Sequence, residues 1–181
     1  MMTQKGQFRI GFIEELKMQI LDLRYTKGKL SMFALLPSRS ADNVKGLEEL
    51  ERKIAYEKIE AWSSSENLSE EMVSFPQFTL EDSYDLNSIL QNMDIMDIFD
   101  EMKADLTGIS PSPNLCLSKV IHKTVVEVDE NGTQAVATSG AVGVDRSMQS
   151  WVEFNADHPF LFFIRHNKTQ TILFYGRVCS P

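Results

Sequence analysis

His122, His158 and His166, with Cys116 and Cys179, are the side chains of this sequence best suited to acid–base, nucleophilic or metal chemistry. They are scattered, and none has cysteine or carboxylate partners at the spacing a metal site needs. Gly-x-Ser-x-Gly, a phosphate-cradling glycine loop, a dinucleotide fingerprint and His-Glu-x-x-His are all missing, so hydrolase, kinase and metalloenzyme readings find no support and no cofactor or metal is expected. His158, just before Pro159, reads as structural, and His122 as a satisfied core histidine. The two cysteines fit neither a disulfide framework nor a metal motif and read as reduced thiols of a cytosolic protein.

A different kind of chemistry is suggested by the stretch 131–150, where the chain itself is a target. It is rich in Gly, Ala, Ser and Thr and reads as a long exposed loop. Its residues sort with a period of two. Thr133, Ala135, Ala137, Ser139, Ala141 and Gly143 share one face and are all small, while Val136, Val142 and Val144 fall on the other. No proline interrupts it, so it can serve as a strand whose inner face fits a packed core. Near its end stands Arg146, followed by Ser147; taken alone, Arg146 would be a solvated surface charge.

The elements that must position this segment have recognisable patterns. Phe8-Arg9-Ile10, Gln19 to Leu23 and Leu30 to Pro37 read as short strands, the last fully buried, with Lys27-Gly28-Lys29 as a turn. Leu47, Leu50, Ile54, Tyr56, Ile59 and Trp62 predict an amphipathic helix, or two in tandem, over 43–62, ended by Ser63 to Ser65. A further helix is expected from an N-cap at Asp82 or Ser83, carrying Leu86, Ile89, Leu90 and Met93 into the core and continuing weakly to Met102. The β-branched run from Leu117 to Val128 predicts a strand. Phe160 to Ile164 and Thr171 to Tyr175 predict a hairpin, apolar on both faces and therefore covered by other layers.

Composition bounds the partners. The chain has 181 residues, 43% of them hydrophobic, enough for one globular core. Eighteen basic and 26 acidic residues leave a net charge of −8 with no basic cluster, which disfavours nucleic acid and anionic membrane. Neither a signal peptide nor a membrane span is readable. Sequons stand at Asn67, Asn131 and Asn167 and matter only in a secreted protein.

Phe154 to Arg165, Ile172 to Val178, Lys103 to Ile109, Ser118 to Thr124, and Phe8, Gly11, Ile13 and Leu16 ahead of Leu30 to Pro37 together resemble the serpin family, over essentially the whole chain. The Arg-Ser loop and the ending Cys179-Ser180-Pro181 resemble its ovalbumin-type intracellular clade B. The resemblance implies an α+β fold and the C-terminal half, residues 1–181, of a single serpin domain. That half holds sheets B and C, part of sheet A, about three helices and an exposed reactive-centre loop at about 131–150.

In such proteins a protease cuts the loop, whose upstream part then enters the central sheet and traps the acylated enzyme. Gly132 matches the hinge glycine, and Thr133, Ala135, Ala137, Ser139 and Ala141 the inserting face. The scissile residue then lies fourteen positions beyond Gly132, at Arg146, with Ser147 after the cut. A guanidinium there suits a carboxylate-lined primary pocket, so trypsin- and plasmin-like serine proteases are the implied partners, and the chain is expected to be a substrate-like inhibitor rather than an enzyme. Asp145 departs from this, since it sets a carboxylate beside that pocket. A glycan on Asn131 would block insertion, which favours a cytoplasmic address over an extracellular one. The alternative is a non-inhibitory fragment, acting as protease substrate or interaction species. Half a domain also leaves strand edges unpaired and predicts self-association through them.

Overall fold

Between the strands Met18–Arg24 and Leu30–Pro37 the chain reverses through Gly28, whose φ of +62° is left-handed, the conformation glycine adopts without penalty. The computed structural model describes residues 1–25, 28–39, 43–63, 69–111, 115–129 and 153–181. These form an α+β chain that divides into two units, residues 1–78 with 128–181, and residues 79–127.

In the first unit, strands β1 (Met2–Ile13), β2 (Met18–Arg24), β3 (Leu30–Pro37), β4 (Ser69–Phe75), β7 (Glu153–Asn155), β8 (Phe160–His166) and β9 (Thr171–Val178) form one sheet. Its order is β7-β4-β1-β2-β3-β8-β9. The short strand expected at Phe8 is in fact twelve residues long. β1 belongs to two ladders: Met2 to Phe8 pair with β4, and Arg9 to Ile13 pair with β2. One continuous strand therefore joins the two ladders into a single sheet. β3 is buried along Ser31 to Pro37, as the apolar run Met32 to Pro37 requires when both faces are covered.

One face carries the rows Ile20–Leu35–Leu161 and Phe33–Phe163, brought level by the antiparallel registers. Helix α1 (Asn43–Lys53) lays Leu47 and Leu50 on it, and α2 (Tyr56–Ser63) adds Ile59. The pair of tandem helices follows from the three-to-four spacing of these residues. The other face carries Phe160 and Phe162, against which Phe75 and Phe78 pack with centroids 5.2 and 5.8 Å away respectively.

β9 departs from expectation. β8 is buried from Phe160 to Arg165, but Leu173, Phe174 and Tyr175 of β9 are all more than a third exposed. β9 is an edge strand: Ile172 packs against the core and Val178 is buried, while Leu173, Phe174 and Tyr175 are left exposed.

In the second unit, β5 (Phe78–Asp85, begun in the first unit) pairs with β6 (Ile121–Val128). Asp82 and Ser83 therefore lie in a strand and not at a helix cap. Helix α3 (Asn87–Asn92) is short, with Leu86 at its N-cap, and the expected continuation is a 3-10 turn at Asp97–Phe99 followed by turns. Ile89, Met93 and Met102 are exposed, so the expected core stripe is not buried. Ile121 and Val125 of β6 are exposed too.

Candidate functional site

The lead-in to β6 is held by one side chain that sequence patterning missed. Asn87 at the start of α3 donates from Nδ2 to the Ser118 carbonyl (2.9 Å) and accepts at Oδ1 from the Val120 amide (2.8 Å). Its amide thus mimics a backbone partner just before the strand begins. The Leu86 amide adds a bond to the Val120 carbonyl (2.9 Å). Lys119 pairs with Asp85 (3.3 Å) and Lys123 with Glu81 (2.5 Å), surface pairs that contribute little. His122 on β6 is exposed and bonds to Thr124 Oγ1 (2.6 Å), so it is not the core histidine expected.

Beyond Asp129 come the residues that sequence reasoning singled out. Gly132, Thr133, Ala135, Ala137, Ser139, Ala141, Arg146 and Ser147 lie outside the described residues, as does the whole of 131–150.

The chain is described again at β7. This three-residue strand pairs in parallel with β4, Met72 with Glu153, Val73 with Phe154 and Ser74 with Asn155. Phe154 and Ala156 are fully buried, and the Ala156 amide donates to the Ser74 carbonyl (2.9 Å). Next in the chain, His158 is buried and structural, as its place before Pro159 suggested. Its Nε2 donates to the Pro37 carbonyl (2.7 Å) and its Nδ1 meets Asp157 Oδ1 (2.9 Å). Asp157 also accepts from Asn155 Nδ2 (3.2 Å) and pairs with Arg39. The hydrogen bond from His158, helped by the Arg39 charge, holds the Asp157 carboxyl below its usual range against the effect of partial burial.

The thiols Cys116 and Cys179 are both free, one half-buried and one exposed. Among the described residues no helix is long and apolar enough to cross a membrane.

Comparison with known proteins places this geometry. The family model described as Serpin (serine protease inhibitor) matches residues 1–181. The chain is 81% identical to human "Serpin B12" over 183 residues, covering all of this chain and 45% of that protein. It is 45% identical to mouse "Leukocyte elastase inhibitor A", covering all of this chain and 48% of that one. Among solved structures, uncleaved ovalbumin superposes with a TM-score of 0.84 at 40% identity, over 99% of this chain and 47% of ovalbumin. A tumour-suppressing serpin gives 0.78 at 34% identity, over 99% and 46%. The chain thus spans less than half the length of these relatives.

One expectation needs correction. The sequence predicts a substrate-like inhibitor rather than an enzyme, and the second half of that expectation rests on missing catalytic motifs. The family match overturns that ground: the class of the chain follows from its match to a model described as Serpin (serine protease inhibitor), and not from the absence of motifs. With every residue matched and the ovalbumin fold shared along nearly the whole chain, this protein belongs to the serpin family, in its ovalbumin-type clade B.

Proposed function

We propose that the protein acts as a suicide substrate of serine proteases that cleave after arginine, with residues 131–150 as the reactive loop of a single serpin domain of which 1–181 is a portion. The protease serine attacks the Arg146 carbonyl and its proton passes to the departing Ser147 nitrogen. The Arg146–Ser147 bond breaks, and Arg146 is left as an acyl ester on the enzyme. Residues 133–143 then enter a sheet as a strand, with Gly132 as the hinge.

The observation that carries this reading is the sorting of side chains in that stretch. Every residue on the proposed inner face, from Thr133 to Gly143, is small, and the valines lie opposite. Trypsin- and plasmin-like enzymes are the targets that Arg146 selects, with Asp145 lowering affinity. A cytoplasmic address accords with two free thiols and with a sequon at Asn131 that must stay bare for insertion.

A second reading has its own support. In the second unit the sheet has two strands among the described residues, and Ile121 and Val125 stand exposed on β6. A chain without further strands would be cut as a substrate, would trap nothing, and would self-associate through such surfaces.

Incubation with trypsin followed by a denaturing gel separates the two. A complex that survives denaturation and disappears in Arg146→Ala supports inhibition. Cleavage after Arg146 with no complex supports the substrate reading, and no cleavage there refutes both.

A further inference from the structure

A loop that is to be cut before its upstream half moves must be tied at both ends. Its downstream tie begins at β7, which is three residues long, lies at the sheet edge and pairs with one neighbour. So little edge pairing frays readily. Immediately behind β7 the chain meets the end of β3, an inner strand flanked by β2 and β8. His158 Nε2 reaches the Pro37 carbonyl at 2.7 Å, and Arg39, two residues on, pairs with Asp157. Asn155 Nδ2 donates to Asp157 Oδ2 at 3.2 Å, and Asp157 Oδ1 meets His158 Nδ1 at 2.9 Å. A continuous polar path therefore runs from the last residue of β7 through Asp157 and the buried ring to β3.

We propose that His158 is a positioning residue whose ring fastens the exit of β7 to the end of β3, and so holds the downstream end of the loop in the sheet. Its consequence for inhibition rests on the loop reading above, but its test does not. The ring fills space as well as bonding, so two replacements separate these roles. His158→Phe keeps an aromatic ring and loses both hydrogen bonds, while His158→Gln keeps a donor at similar reach to the Pro37 carbonyl.

Amide hydrogen exchange on the 181-residue chain reads the strands directly. His158→Phe is expected to speed exchange at Glu153 to Asn155 about ten-fold, the effect of one lost buried hydrogen bond, and to leave β8 unchanged. His158→Gln is expected to recover most of the protection. Unchanged exchange in β7, equal loss in β7 and β8, or no rescue by glutamine would each overturn the proposal. Because no protease takes part, a failure here is distinct from a failure of Arg146 to serve as the scissile residue.

Discussion

Gly176 of β9 stands directly across the ladder from Phe162 of β8, and a β-carbon on it would lie 2.8 Å from two carbons of the Phe162 ring. No side-chain carbon tolerates that approach, so the ring rests on the bare backbone of its neighbour. Phe162 is in turn held from elsewhere by Phe78, 5.8 Å away between centroids.

Gly176→Ala is therefore expected to push the ring out of place and to destabilise the chain by about 1–3 kcal/mol, the usual effect of overpacking a core. Urea unfolding checks it. Combining it with Phe162→Leu should give less than the sum of the two separate effects, since the smaller side chain relieves the clash; simple additivity would count against the contact.

Asn87 makes two bonds to the backbone ahead of β6, so Asn87→Ala leaves a carbonyl and an amide without their partner. Because water can reach both groups, a loss of about 0.5–1.5 kcal/mol in local stability is expected, read as faster amide exchange at Val120 with β8 unchanged. Asn87→Asp keeps the acceptor for Val120 and loses the donor to Ser118, so it should fall between.

The Asp157 carboxyl is held below its usual range by His158 and then by Arg39. A depressed folded value means stabilisation that is fully present above the unfolded carboxylate value and is lost as pH falls through the folded one. Stability followed by urea midpoint should thus decline on the acid side of the ordinary carboxylate range, and Asp157→Asn should make that decline shallower. An unaltered acid slope in the variant would show that Asp157 does not contribute to it.

The two faces of the loop give a prediction that depends on orientation alone. In a form that traps protease, Ala137→Glu places a charge on the proposed inner face, and the trapped fraction should fall at least ten-fold while cleavage after Arg146 continues. Val136→Glu, one residue away on the outer face, should be tolerated. Equal effects of the two on a denaturing gel would refute the alternation.

What the sequence determined by itself is local and periodic. The apolar run Leu30 to Pro37, interrupted only at Ser31, marks β3 at both ends, and the spacing from Leu47 to Trp62 marks α1 and α2, because 3.6- and 2-residue periods are imposed by the backbone. The sorting of 133–143 is legible in the same way. β4 and the strand character of β5 were not, since Glu70, Glu71, Glu81, Asp82 and Asp85 break up the apolar signal and Asp82 mimics a helix cap. Only the tertiary structure decided that one strand, β1, serves two ladders, that β9 and α3 keep apolar side chains exposed, and that His158 finds its acceptor 121 residues away at Pro37. Which face is covered, and which distant carbonyl lacks a donor, depends on packing between segments far apart in the chain, and no local period encodes it.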